Sequence, residues 1–467
     1  MFGASFKKKT LLGIWLLSAV LIVIMVGYRF VRGTKKRRSP DIVFISIDTL
    51  RADRMGLYGN RRDTSPVIDE YARNSIVYRN ALSQAPWTLP STASFVTSLY
   101  PSQHGAIKIG RRLNTDVDTI AEVLHDAGYH TIGVVSHTVV SEKYNFDQGF
   151  DLFDQTHINN QRTVTSDKLS KLAIGHFRER PKDKPCFMWV HYFDPHFDYI
   201  RHPEFGFADD TAEILPSEFV LTRYSAGDPR RMYKKSRMKS VFLEHIRAVY
   251  DEEIAFTDLW VGDLLDAVTA DDADTVFIIT ADHGEYFMER GRFLHDGDVY
   301  NELVHVPLII GGAIDDALRG KKVARTVELI SLPKTMAGIA KVEKDPFNGE
   351  DLIALASEKT PKPRFAYSEG TWAWQKTGRT AGVVYKGWKL IRNFDDERYE
   401  LYDTGKDRKE KKDLFQSGDP ETVKMRRLLK KKLDAHVKTN WHIDSKAEKV
   451  DVTEEEKAQL RALGYVK

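Results

Sequence analysis

The chain has 467 residues, 42% hydrophobic and 29% charged, with 30 Gly and 17 Pro; this excludes a disordered, collagenous or coiled-coil protein and leaves room for one large α/β domain and a smaller one. Of its 70 Lys and Arg, nine fall in residues 1–40, which hold no acid, leaving 61 basic against 67 acidic side chains in the rest, a balance that argues against nucleic acid as a partner. The one cysteine, Cys186, excludes an intrachain disulfide and a cysteine-based zinc site, and its apolar run, Pro185–Val190, marks it as a buried structural residue.

In chain order, the first element is an apolar segment. The 19 residues Thr10–Tyr28 hold no charge, and as a helix they span about 28 Å, close to the ~30 Å hydrocarbon core of a bilayer. No small-x-small cleavage site follows, and Arg29, Arg32 and Lys35–Arg38 come at once. This predicts an uncleaved transmembrane anchor over about 10–28 with a basic linker to residue 40, rather than a cleaved signal peptide. Three Lys precede the span and six basic residues follow it; that bias alone places the large domain in the cytoplasm.

Five short apolar runs then read as buried parallel strands: Ile42–Ile47, His130–Val135, Phe187–Val190, Thr275–Thr280 and Val306–Ile310. Amphipathic stretches such as Thr119–Ala127 and Leu243–Val268 lie between them. The alternation predicts an α/β fold with a doubly wound, mostly parallel sheet. Residues 199–239 look irregular and end in a basic cluster of Arg230, Arg231, Lys234, Lys235, Arg237 and Lys239. A solvated insertion loop is the first reading and a lid or lipid-headgroup contact the second. Beyond about Phe347 the texture changes. Arg379–Ile391 and Tyr399–Tyr402 read as antiparallel strands followed by charged helices, and Lys409–Lys412 and Lys430–Lys432 as solvated helix faces. The organisation expected is an anchor and linker over 1–40, a catalytic domain over 41–345 and a small α+β subdomain over 346–467.

Ligands bind open α/β sheets at the carboxyl ends of strands. Those ends carry Asp48, then Ser136 and His137, then His191, Asp194 and His196, then Asp282, His283 and Glu285. A single Asp after a strand reads as a helix cap; four such ends read as one polar rim. Asp48, Asp282 and His283 form a mixed oxygen and nitrogen set suited to Zn or Mn, with Mg or Ca as alternatives. Thr88 supplies a hydroxyl. Pro90 fits the first turn of a helix running to about Leu99, which puts Thr88 just before an N-terminus that favours anions. Metal coordination is a recognised way to activate such a weak nucleophile; the competing reading is a simple N-cap. His104 reads as a turn residue and His191 as a sheet-edge histidine. Glu285 either orients His283 or caps the following turn.

The ordered motifs resemble the sulfatase family of the alkaline-phosphatase superfamily. Pro40–Asp48 is similar to its first strand, and Leu57-Tyr-Gly59 and Thr64-Ser-Pro66 follow. Thr88-Leu-Pro-Ser91, Thr97–Pro101 and His104-Gly105 resemble the nucleophile helix. Ala127-Gly-Tyr129, Gly149-Phe-Asp151, Thr280–Glu285, His295, Val306-Pro307, Glu400–Asp403 and Leu463-Gly-Tyr465 occupy the remaining places. The chain departs from the pattern at four positions. Thr88 stands where sulfatases carry a Cys or Ser that becomes formylglycine, which Thr cannot. Thr92 stands at the Arg position, Thr49 at a second Asp, and Ser136 where a Lys often precedes the histidine.

The resemblance implies an alkaline-phosphatase-like fold and a membrane-anchored ester hydrolase or transferase. Relatives with an unmodified Thr are phosphodiesterases, nucleotide pyrophosphatases and phospho-head-group transferases, so phosphate esters are expected ahead of sulfate esters. Asp48, Thr88, Asp282 and His283 would ligate one divalent ion. His137, His196 and His295 would contact the nonbridging oxygens or protonate the leaving group. Asp194, His196 and His295 have the chemistry for a second ion. Partners expected are the lipid bilayer and an anionic ester on a lipid head group or glycan, with the catalytic domain outside the cytoplasmic membrane. The alternatives are a sulfuric ester hydrolase lacking formylglycine and a non-catalytic scaffold on the same fold.

Overall fold

Alternation of apolar runs with amphipathic helices produces one large sheet in the computed structural model, which describes residues 39–158, 166–221, 229–295, 297–370, 379–440 and 447–462. Its strands in chain order are β1 (Asp41–Ile47), β2 (Ile76–Tyr78), β3 (His130–Val135), β4 (Leu152–Asp154), β5 (Cys186–Tyr192), β6 (Thr275–Ala281), β7 (Leu308–Gly312) and β8 (Lys322–Val323). Their order across the sheet is β8-β2-β7-β6-β1-β5-β3-β4. Every residue of β1, β5 and β6 is buried, as expected of central parallel strands covered on both faces.

One expected strand runs the other way. The run at Val306–Ile310 forms β7 at Leu308–Gly312, antiparallel to both neighbours, β6 and β2. A parallel neighbour needs a crossover that returns the chain to the opposite edge. Among its described residues the link from β6 contains only short elements: paired strands at Tyr286–Phe287 and Phe293–Leu294, helical turns at Glu289–Gly291 and Asn301–Val304, and a two-residue strand at His305–Val306. The chain re-enters the sheet where it left, so the direction reverses. An apolar run encodes burial and not direction.

Helices α1 (Thr88–Thr97), α2 (Ile120–Asp126) and α5 (Leu332–Ala340) pack on one another, and α3 (Ser166–Glu179) packs on the 33-residue α4 (Lys239–Asp271). The rings of Phe95 and Trp189 join α1 to the sheet: Phe95 lies edge-on to Phe44 at 5.3 Å and to Trp189 at 6.1 Å. Every residue of α1 is buried, so the position of Thr88 is set by core packing.

The subdomain is a four-stranded antiparallel sheet of β9 (Ala366–Gly370), β10 (Thr380–Tyr385), β11 (Trp388–Asn393) and β12 (Tyr399–Asp403). Alternation along β10 sends Val383 toward Leu429 and Leu433 of α6 (Pro420–Asn440), and Val384 toward Val299 and Leu303 of the β6–β7 link. Both sheets belong to one compact unit, Pro40–Lys467.

Three expectations are corrected. Among the described residues no helix is long and apolar enough to cross a membrane. That stands against the expected single-pass membrane localisation; the expected span, 10–28, lies outside the described residues. The 199–239 segment is partly helical, at Asp209–Ile214 and Pro229–Lys235. Lys409–Lys412 is a loop and not a helix face. Within it Glu410 is fully buried and pairs with Lys389 Nζ at 2.8 Å.

Candidate active site

The carboxyl ends of β1, β3, β5 and β6 deliver their polar residues to one buried rim. Asp48, Thr88, His137, His191, Asp282 and His283 have no exposed surface. The Asp48 N–H donates to Tyr192 O at 2.9 Å, which holds it against β5. Asp282 Oδ1 accepts from the N–H groups of Thr49 (3.1 Å) and His283 (2.7 Å). Its Oδ2 is thereby turned to the centre.

The hydrogen-bond network assigns the ring protons. His283 Nδ1 donates to Gly284 O at 2.8 Å, leaving the Nε2 lone pair facing inward. That atom lies 3.2 Å from Thr88 Oγ1, 3.4 Å from Asp282 Oδ2 and 3.6 Å from Asp48 Oδ1. Gly284 is required here, because a Cβ would come within 2.1 Å of Glu302 O. His137 has the opposite tautomer. Its Nδ1 accepts from Val139 N–H at 3.1 Å, so the proton sits on Nε2, 3.7 Å from Asp48 Oδ2. His196 Nδ1 donates to Phe197 O, and its ring lies 5.1 Å from that of His295.

These atoms fit a divalent cation. Asp48, Asp282 and His283 offer ligand atoms within 4.8 Å of one another, as do Asp48, His137 and His196. Both Asp48 oxygens and Asp282 Oδ2 are buried without a hydrogen-bond partner, which costs free energy unless a cation is supplied. The first trio converges three lone-pair atoms; the second includes the proton-bearing Nε2 of His137. The first is therefore the better suited of the two candidate sets. Burial, then repulsion from Asp282 and Glu285, pushes Asp48 well above the carboxylate range, and burial raises Asp282. Burial also holds His137, His196 and His283 well below the usual imidazole range. A bound cation restores both carboxylates to their charged form.

Thr88 is the first residue of α1, and Trp87 is the N-cap; Thr88 is therefore not a side-chain cap. Ser91, one turn on, donates to Asp282 O at 2.6 Å and ties α1 to the end of β6. Glu285 orients a different histidine from the one expected: its Oε1 accepts from His295 Nδ1 at 3.1 Å, and its Oε2 accepts from Tyr199 OH at 3.0 Å. Glu285→Gln is expected to lower kcat by on the order of 10–100-fold while metal content, read by elemental analysis, stays unchanged.

Asp194 does not join the histidines. Its Oδ2 accepts from both the N–H and the hydroxyl of Ser166, at 2.7 and 2.8 Å, so the set Asp194, His196 and His295 is not assembled. Burial, then repulsion from Glu253, pushes Asp194 up to about 7. The folded state therefore binds more protons than the unfolded chain between the ordinary carboxylate range and that value, and stability falls as pH rises through that window. Asp194→Asn is expected to flatten this dependence, worth on the order of a few kcal/mol, in denaturant titrations on either side of the window.

Two histidines read as bland carry more. His104 ends the helical turn Pro101–His104 and is buried against α1, with Nε2 3.2 Å from Pro90 O and 3.1 Å from Ser94 Oγ. His191 is in central β5 and not at a sheet edge. Trp189 donates to Ser46 Oγ, which shares a 2.8 Å hydrogen bond with His191 Nδ1, and His191 Nε2 lies 3.8 Å from Asp48 Oδ2. Its place at the end of a strand, like His137, was the available signal.

Residues 40–342 match the Sulfatase family model, and residues 288–439 match N-sulphoglucosamine sulphohydrolase, C-terminal. The N-acetylglucosamine-6-O-sulfatase of Bacteroides thetaiotaomicron is 23% identical over 487 residues, covering 86% of each chain. A solved structure in complex with its substrate D-glucosamine-2-N,6-O-disulfate superposes with a TM-score of 0.71 at 20% identity, covering 87% of this chain and 99% of that one. The phosphonate monoester hydrolase of Agrobacterium radiobacter has a TM-score of 0.67 at 18% identity, covering 86% and 96%. The family model spans more than half of the chain and all of the buried rim, and the chain belongs to the sulfatase family.

Proposed function

We propose that the protein cleaves or transfers phosphate esters through Thr88, with one divalent ion held by Asp48, Thr88, Asp282 and His283. The observation that carries the reading is the Thr88 hydroxyl 3.2 Å from His283 Nε2, on the N-terminus of a fully buried helix, beside carboxylate oxygens that lack partners. In this reading residues 41–345 carry the chemistry and 346–467 form the subdomain beside it. When bound, Zn or Mn lowers the pKa of the hydroxyl and offsets charge building on the ester oxygens.

The chain's own groups do the rest. Thr88 Oγ1, whose proton would pass to solvent when the ion binds, forms a bond to phosphorus as the bond to the leaving oxygen breaks. His295, with Glu285 as its counter-charge, gives that oxygen a proton. His137 Nε2–H donates to a nonbridging oxygen. His196 presents Nε2 to the incoming water or acceptor alcohol and takes its proton. Attack at phosphorus then breaks the bond to Thr88 Oγ1, which leaves as it entered, and the proton taken by His196 passes to solvent as His295 regains one, so the cycle closes.

Phosphorus is favoured over sulfur because Thr88 carries a single hydroxyl and no formylglycine can form there. Thr92 and Ser136 also stand where the family pattern puts cations. The second reading, a sulfuric ester hydrolase, draws on the relatives, one of which is an N-acetylglucosamine-6-O-sulfatase. Phosphonate monoester hydrolases share the fold. Assays of nitrophenyl phosphate, bis-nitrophenyl phosphate and nitrophenyl sulfate with Zn, Mn, Mg and Ca separate the two. Faster turnover of either phosphate ester is expected, and preference for the sulfate contradicts the proposal.

A further inference from the structure

A basic trough lies between the β8 edge of the main sheet and the subdomain, and Thr88 is not among the residues that line it. One cavity of about 570 Å³ is lined by Lys322, Lys359, Lys386 and Arg408, and Glu358 is the one acid among its lining residues. A second, of about 930 Å³, adds Lys409 and Lys411; of the four acids on its wall, Asp53 and Glu289 are paired with Arg51, Glu244 with Arg62, and Glu302 is the fourth. The two share Asn301, His305 and Arg408 in their walls, so they adjoin. All six cationic side chains are exposed. Elsewhere on the wall, Arg325 and Arg364 are both held by Glu350. Among the described residues no carboxylate pairs with Lys322, Lys359, Lys386 or Arg408.

The loop carrying Arg408, Lys409 and Lys411 is built to hold them there. Glu410 turns inward, pairs with Lys389 Nζ at 2.8 Å and accepts from Asn301 N–H at 2.8 Å. Asn301 Nδ2 donates to Arg408 O at 3.0 Å, and Arg290 donates to Glu410 O at 3.0 Å. Burying that carboxylate fixes the loop backbone and leaves its three cations facing the trough. An isolated solvated charge run needs no such anchor.

We propose that this trough binds a polyanionic glycan chain, whose sulfate or carboxylate groups meet the six cations, at a site separate from the catalytic rim. The spread of these cations over two adjoining cavities suits a chain with repeated charges and not one small anion. A single-stranded nucleic acid calls for exposed aromatic platforms. The aromatic residue on the trough wall, Tyr58, is already packed by His305 and capped by Arg79. The proposal stands independently of the role of Thr88.

The test measures binding of a heparin-derived octasaccharide to the full chain. Lys322→Gln, Lys359→Gln, Lys386→Gln and Arg408→Gln combined are expected to weaken binding by about tenfold or more and to lower its salt dependence. The equal charge change on exposed α6, Lys424→Gln, Arg427→Gln, Lys431→Gln and Lys438→Gln, is expected to leave it unchanged. Thermal unfolding verifies that both proteins fold. Equal loss in the two overturns the proposal, because the attraction is then net charge alone. Binding that disappears in Asp282→Asn also overturns it, by placing the probe on the catalytic rim. Tighter binding of a single-stranded oligonucleotide of the same charge overturns the glycan assignment.

Discussion

Thr88→Ala is expected to lower kcat for bis-nitrophenyl phosphate by on the order of 10⁴-fold or more, the scale seen when a nucleophile is removed from a preorganised site. The fold is expected to survive. Thr88 sits on a helix held by Phe95, by the Ser91 bond to Asp282 O and by the His104 contacts, none of which uses the Thr88 hydroxyl. Thermal unfolding of the metal-free variant is therefore expected to match the parent. Metal affinity is expected to fall far less than turnover, since Asp48, Asp282 and His283 remain. Activity that persists at the parental rate removes Thr88 from the mechanism.

Asp282→Asn is expected to separate folding from metal uptake. Both backbone N–H donors reach Oδ1, which Asn retains. The change falls on Oδ2, a buried oxygen without a hydrogen-bond partner. At about a thousandfold excess of metal over its Kd, the parent gains roughly 4 kcal/mol of stability, and the variant gains almost none. Without metal the order reverses. The parent must bury a carboxylate whose pKa is raised by desolvation, and the variant does not. Metal-free Asp282→Asn is thus expected to unfold at or above the parental temperature at neutral pH. Activity is lost in either case. A variant that binds zinc or manganese like the parent contradicts the ligand set.

The rim was legible because parallel strands are buried along their whole length, so polar residues at the ends of Ile42–Ile47, His130–Val135 and Thr275–Thr280 stand out. Pairing partners were less so. Glu285 adjoins His283 in sequence, yet it holds His295, because the β6–β7 link folds back over the rim. Asp194 shares a loop with His196, but the start of α3 takes its carboxylate. The direction of β7 depends on its connection rather than its composition. Glu410 lies inside a run of lysines, and its burial follows from Lys389 and Asn301, neither of which is near it in sequence. Periodicity reports which face is buried; it carries no information on which distant groups meet there.

The most direct measurement is to trap the intermediate. The metal-loaded protein is quenched in acid during turnover of bis-nitrophenyl phosphate, and its peptides are analysed by mass spectrometry. A nitrophenyl-phosphoryl group on Thr88, absent from the metal-free protein and from Thr88→Ala, is the result expected. A phosphoryl group on another residue, or rapid turnover with unmodified Thr88 that persists in Thr88→Ala, contradicts the account.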